Sequence, residues 1–324
     1  MIRASCAALV LMPAAVMTIA PQSGPSIGDR IVRLTRSSVW TLERSIPLAF
    51  AAHHPQGLVK IGDRLFISSV EIKTPTKRLA AVAPGAQAGG AGAGGFDRDT
   101  GDGVGHVFEA TLDGRLVADQ IVGDGTMYHP GGIDFDGTHI WVSVAEYRPN
   151  SRSIVYRIDP ATRRATEVFR FADHLGGIIR NPDDNTLHAV SWGSRWFYRF
   201  VLDENGRVTN ADAAPASIRT ANRSHYVDYQ DCKYAGARRM VCTGIADVPR
   251  EGGQKSFTLG GIDLVDFASG AAVHQVPIGL TTPGGASLTR NPSFFEATAS
   301  GLRAYFVPDD DKATLYVYAI DLPR

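Results

Sequence analysis

Residues 128–141 read YHPGGIDFDGTHIW: a histidine, a proline and two glycines stand directly before a short apolar strand, a turn at Asp136-Gly137 and a second strand. The phrase returns at 53–67 as HHPQGLVKIGDRLFI and, with a longer turn, at 174–190 as HLGGIIRNPDDNTLHAV. Self-similarity of this kind marks a fold assembled from supersecondary units that cannot bury their apolar faces alone.

Aligned on the turn glycine, Gly62, Gly137, Gly236 and Gly301 correspond, and the copies begin near His54, His129, His174, Asp228 and Ser293. Each copy continues with a second strand, a loop and a third strand that ends in a phrase such as YRIDPATRRATEV, YRFVLDENGRVTN or YVYAIDLPR. Short runs rich in Val, Ile, Phe and Tyr, bounded by Gly, Asp and Asn, predict strands throughout and no long amphipathic helix. The expected fold is all-β: a β-propeller of five blades. Six is the alternative, if residues 207–224 or the 250s hold a degenerate blade. The segment IVRLTRSSVW at 31–40 is expected to close the ring as the outer strand of the last blade.

The first residues, MIRASCAALVLMPAAVMTIAPQSG, predict a signal peptide over 1–24, ahead of a single domain over 31–324. A Gly/Ala-rich stretch at 80–105 reads as a flexible insertion in the first blade. Within it, DRDTGDG followed by Glu109 resembles an acidic calcium loop, but the spacing is too long at Asp102 and Glu109 and favours a solvated loop. Cys232 and Cys242 flank Ala237 symmetrically in a predicted hairpin, which places them opposite one another and predicts a disulfide. A secreted or periplasmic location follows. Lys plus Arg and Asp plus Glu both number 33 and the cations are scattered, so no nucleic-acid partner is expected. Nor is a membrane partner once the signal is removed, and a monomer is expected.

In a propeller the first strand of each blade lines the central channel. The register therefore brings His54, His129, His174 and Asp228 to equivalent points at its mouth. Imidazoles and a carboxylate on one ring make a divalent-metal site, for Zn²⁺, Mn²⁺, Fe²⁺ or Ca²⁺. The alternative is a metal-free cluster in which a neutral histidine is a general base assisted by a Tyr or Arg. Catalytic candidates are His129, His225, Tyr226 and Glu296; substrate-binding candidates are His53, Gln56, Gln230, Trp192 and Arg195. Gly57, Gly131, Gly132, Gly176 and Gly177 are read as allowing inner strands to crowd the axis. The loops after the second strands, carrying Glu71, Glu146, Tyr147, Arg148, Trp192, Arg195 and Asp309, are expected on the opposite rim if the strands run straight through.

HPQGL, HPGGIDFDG and YRIDPAT resemble secreted bacterial propellers of the gluconolactonase, NHL-repeat and glutamine-cyclotransferase type, and most closely a propeller family of unknown function. The likeness covers nearly the whole mature chain. Glutamine cyclotransferases carry an aromatic residue and a Thr where this chain has His54 and Pro55. A further resemblance is to propeller polysaccharide lyases of the oligogalacturonate type, in which imidazoles and an amide hold a central metal; His54, Gln56, His129, His174 and His225 are ligands of the right type. The resemblance implies a lyase or hydrolase acting on a small-molecule or oligosaccharide substrate, such as a uronate-containing glycan. Alternatives are a non-catalytic binding propeller and an acyl-transfer enzyme dependent on Glu296. Phosphate-loop and HExxH motifs are absent from the sequence.

Overall fold

The computed structural model describes residues 25–79, 96–253 and 256–322. The expected signal peptide, with Cys6, and residues 80–95 of the Gly/Ala-rich insertion lie outside the described residues. After a single-turn helix, α1 (Ile27–Ile31), and a strand β1 (Trp40–Pro47), the chain runs through consecutive antiparallel meanders. The first holds β2 (His54–Ile61), β3 (Arg64–Thr74), β4 (Asp102–Thr111) and β5 (Leu116–Val122). The second holds β6 (Met127–Phe135), β7 (Ile140–Glu146), β8 (Ser153–Ile158) and β9 (Ala165–Phe171). The third holds β10 (Leu175–Asn181), β11 (Thr186–Ser191), β12 (Trp196–Val201) and β13 (Arg219–Ala221). The fourth holds β14 (Asp228–Gly236), β15 (Arg239–Val248), β16 (Phe257–Asp266) and β17 (Ala272–Ile278). β18 (Ser293–Ala297), β19 (Gly301–Phe306) and β20 (Thr314–Asp321) complete the chain, and β1 pairs antiparallel with β20, Trp40 opposite Ile320.

The first strands of the units pack against one another around a common axis while the later strands lie outward, a β-propeller architecture. Apolar residues on both faces of each sheet fill the space between neighbours; Trp141, Val155 and Phe169 of the second unit meet Ile178, Leu187 and Phe200 of the third. Cys232 stands opposite Cys242 across the β14–β15 hairpin and is disulfide-bonded to it, as the symmetric spacing predicts.

Several expectations change. The strand on β20 is WTLERSIP, not IVRLTRSSVW: Ile31 and Leu34 are fully buried beneath the last units, whereas β1 is an exposed edge. Residues 102–105, assigned above to the flexible insertion, are the start of β4. Their glycines reflect crowding, since a Cβ on Gly103 would stand 2.5 Å from the Glu71 carbonyl oxygen and 2.6 Å from the Tyr128 ring. Glu109 faces Arg64 and Arg163 from within that strand and belongs to no calcium loop. Residues 219–221 are the outer strand of the third unit, and β16 (Phe257–Asp266) and β17 (Ala272–Ile278) belong to the fourth.

The crowding at the axis is real for Gly131, whose Cβ would lie 2.2 Å from the Gly176 carbonyl oxygen, and for Gly57, at 2.5 Å from the Ile133 nitrogen. At Gly176 and Gly177 the nearest atoms are 3.5 Å away, an ordinary contact, so those two glycines are not demanded by space. Successive first strands share a single backbone pairing, Gly132 with Gly177. Their remaining polar groups find other partners. Ser68 Oγ donates to the Gly131 carbonyl (2.7 Å), Ser143 Oγ to the Leu175 carbonyl (2.9 Å), and Thr243 bonds Ser293 (2.8 Å), each joining one unit to the next.

On the axis itself Asp231 accepts from the Leu58 and Ser293 amides at 3.0 and 3.3 Å and pairs with buried Lys233. Asp134 accepts from the Arg180 and Tyr234 amides at 3.1 and 3.3 Å. Burial pushes Asp134 up to about 7 and Asp231 to about 6, against the pull of the Lys233 ammonium. Removing one member of a buried pair costs about 3–5 kcal/mol because the other charge is left uncompensated. Asp231→Ala should therefore destabilise the fold by that order in urea unfolding, and adding Lys233→Met should restore part of the loss; equal stabilities for Asp231→Ala and wild type would contradict the assignment.

Candidate functional site

Four of the first strands are interrupted near their start by a register shift: between Pro55 and Gly57 in β2, between Pro130 and Ile133 in β6, between Leu175 and Gly177 in β10, and between Tyr229 and Asp231 in β14. Bulges re-aim neighbouring side chains. Here they turn His54, His129 and His174 into one cavity of about 250 Å³. Gln56, Asp228, Gln230 and Trp192, all named from the sequence, line it as well.

The second-strand loops occupy the same rim, not the opposite one. An antiparallel hairpin returns the chain to where it began: Met127 pairs with Glu146, and Leu175 with Ser191. Tyr147 and Trp192 consequently wall the cavity beside the histidines. The Tyr147 ring stacks on His129 at 4.2 Å with an interplanar angle of 14°, and Trp192 meets His174 edge-on at 4.8 Å.

The three imidazoles differ in what they can do. His54 Nδ1 lies 2.7 Å from Asp310 Oδ1; a carboxylate only accepts, so Nδ1 carries the proton and Nε2 keeps a free lone pair. Asp310 is in turn held by Arg290 Nη2 (3.0 Å) and Asn291 Nδ2 (3.3 Å). Burial would raise its carboxyl, but the hydrogen bonds from His54 and Asn291 and the charge of Arg290 bring it below the ordinary carboxylate range. His174 Nδ1 donates to the Glu146 carbonyl at 2.8 Å, which leaves Nε2 as the acceptor. His129 is buried with neither ring nitrogen hydrogen-bonded. Desolvation, with the neighbouring His174 and His54, holds His129 well below the usual imidazole range; desolvation lowers His174 too.

His54, His129, His174 and Asp228 thus share a cavity without converging on one point. His54 and His174 each have one nitrogen engaged, and Asp228 is drawn to Arg195 Nη2 at 2.8 Å. Arg195 also donates to His225 Nδ1 at 2.8 Å, which occupies the lone pair that a general base would need. Tyr226 covers Gly261 and reaches only the Gly260 carbonyl, at 3.4 Å; it packs rather than reacts. Glu296 stands far from the mouth, bonded to Lys60 Nζ (2.7 Å) and the Tyr305 hydroxyl (2.8 Å) in a second cavity. It follows the start of β18 by three residues, roughly 10 Å of strand at about 3.3 Å each, which carries it toward the other rim. His53 is outside the cavity and stacks on His106.

Sequence reading missed Asp310. The acidic run VPDDDK after β19 is its signal, read once second-strand loops are placed on the histidine rim.

The chain belongs to a family of unknown function (DUF6454), which matches over residues 11–323. No curated protein matches the sequence. Among solved structures, a luciferin-regenerating enzyme is similar with 10% identity and a TM-score of 0.44, covering 86% of this chain and 97% of its own. The WD40 domain of Toxoplasma gondii coronin is similar with 8% identity and a TM-score of 0.41, covering 90% of this chain and 88% of its own.

Buried neutral histidines give stability a pH dependence of definite sign. Below the unfolded-state value of about 6.5 the unfolded chain takes up protons that native His129 and His174 refuse, so their contribution is present above about 6.5 and lost as the pH falls toward their depressed native values. Asp134 and Asp231, raised by burial, act in the opposite direction, so a comparison with a variant is needed to isolate one histidine. Between pH 6.5 and 5.5, unfolding of His129→Gln should lose about 1 kcal/mol less stability than wild type. Parallel curves would show that His129 titrates normally.

Proposed function

We propose that this family member is an exported enzyme whose meanders form a five-bladed propeller, closed by β1 on β20, and that the histidine cavity at the channel mouth performs general acid–base chemistry on a small polar, ring-bearing substrate such as a glycan unit. The observation that carries this reading is the His54–Asp310 pair, which leaves a free imidazole nitrogen in the cavity that buried His129 and His174 also line. The Cys232–Cys242 disulfide and the apolar N-terminal stretch support an oxidising destination.

Within the cavity His54 Nε2 takes a proton, and Asp310 keeps the ring in one tautomer and stabilises the imidazolium that forms. His174 offers an acceptor, and His129 has an N–H and a lone pair to exchange with substrate hydroxyl or carboxylate groups. An unmet buried polar group costs about 1–3 kcal/mol, so a substrate that satisfies His129 gains that much over one that does not. Trp192 and Tyr147 present the flat apolar surfaces on which a sugar ring rests. A volume of about 250 Å³ suits a single ring rather than a length of polymer. Proton removal by His54 from the carbon next to a carboxylate, with the β C–O bond breaking to leave a C=C bond and the imidazolium proton passing to the leaving oxygen, is elimination. Proton removal from a water that attacks the glycosidic carbon, with the C–O bond breaking and the same return of the proton to the leaving oxygen, is hydrolysis.

The test is turnover of mono- and oligosaccharides, uronate-containing ones included, by wild type, His54→Asn and Asp310→Asn. Loss of a general base lowers kcat/KM by about 10²–10⁴-fold. His54→Asn should fall in that range while Trp192→Ala chiefly raises KM. Undiminished turnover by His54→Asn would overturn the mechanism, and ring-sized sugars that bind without turnover would make the protein a binding module.

A further inference from the structure

On the flank of the first unit, outside the cavity, a side-chain cluster remains that the acid–base chemistry does not use. The structure assigns His53, Glu71 and His106 as a site for one divalent cation of the zinc type. Their ligand atoms all lie within 4.8 Å of one another, and His106 Nε2 is 3.9 Å from Glu71 Oε2.

The decisive member is His106. It is buried, and both Asp119 carboxylate oxygens stand 3.0 Å from its Nδ1, which therefore carries the proton. Nε2 is left as a lone pair, shielded from solvent and without a hydrogen-bond partner. A carboxylate that orients a ligand imidazole through its far nitrogen is the usual outer support of a metal ligand. A buried acceptor with nothing to accept is a cost that a bound cation removes.

The other two ligands come from neighbouring strands. Glu71 lies on β3 opposite Val104, and its side chain is 37% exposed, with Lys73 Nζ the nearest cation at 3.8 Å. His53 immediately precedes β2 and stacks on His106 with ring centroids 5.2 Å apart. Its φ of 53° is strained for a residue with a Cβ, and the turn is held by the Asp311 amide donating to the His53 carbonyl at 2.6 Å. Strain of this kind concentrates at functional sites. Two imidazoles and one carboxylate, with a fourth position open to water, form a donor set suited to Zn²⁺. A cation here would tie β2, β3 and β4 together one residue from His54; the assignment is independent of what the cavity does.

The experiment is calorimetric titration of the chelator-treated full-length protein with Zn²⁺ alone. Wild type should take up one equivalent. Glu71→Gln, at a half-exposed position that leaves the fold intact, and His106→Gln should weaken binding at least 100-fold, and Asp119→Asn by about 10–100-fold. His129→Gln and His174→Gln should bind as wild type does. Absence of a stoichiometric Zn²⁺ site in the folded wild type would overturn the assignment. So would binding that survives in Glu71→Gln and is lost in His129→Gln, which would move the metal to the cavity.

Discussion

Two buried carboxylates hold the centre of this molecule together. The first strands meet at the axis with a single backbone pairing between units, Gly132 with Gly177, so amides that a continuous sheet would satisfy are left pointing inward. Asp231 accepts from the first strands of two other units, at Leu58 and Ser293, and Asp134 from Arg180 and Tyr234 of two more. Each carboxylate replaces missing sheet hydrogen bonds, and Lys233 offsets the cost of burying the charge. Without these groups four backbone amides at the axis would be left without these acceptors, each costly to bury unpaired.

The same convergence makes the mouth. Where the first strands begin, backbone approaches backbone closely enough that Gly57 and Gly131 have no room for a Cβ, and the register slips. The slips release His54, His129 and His174 from ordinary strand alternation and point them into one cavity. Burial then differentiates three residues of the same type. One is paired with a carboxylate, one is fixed by a backbone carbonyl and one has neither nitrogen engaged. Chemical identity came from the residue type; role came from the neighbour on the far nitrogen.

The Arg195 cluster shows why candidate residues close in sequence separate in function. His225, Tyr226, Asp228 and Gln230 fall within one short stretch. Arg195 binds His225 and Asp228, Tyr226 turns to cover Gly261, and Gln230 alone of the four faces the cavity without a charged partner. Glu296 is subject to the same logic at the other end of its strand, where Lys60 and Tyr305 claim it.

Much was legible in the sequence because it is encoded over short range. Alternating apolar residues, turn glycines and the repeated histidine phrase located the strand units, the symmetric Cys232 and Cys242 located a disulfide, and the histidines at three repeat starts line one cavity. Only the tertiary structure decided which groups meet. Asp310 reaches His54 across a separation of 256 residues, and WTLERSIP rather than IVRLTRSSVW pairs with β20 because burial claimed Ile31 and Leu34. His53 and His54 are adjacent, yet one stacks on His106 at the flank and the other faces Asp310 at the mouth. His53 sits in a left-handed turn with φ 53° while His54 opens β2, so the two side chains part, and the partner of each is supplied by a distant strand. Local pattern therefore specifies that a histidine stands at a strand start, and packing alone specifies what it faces.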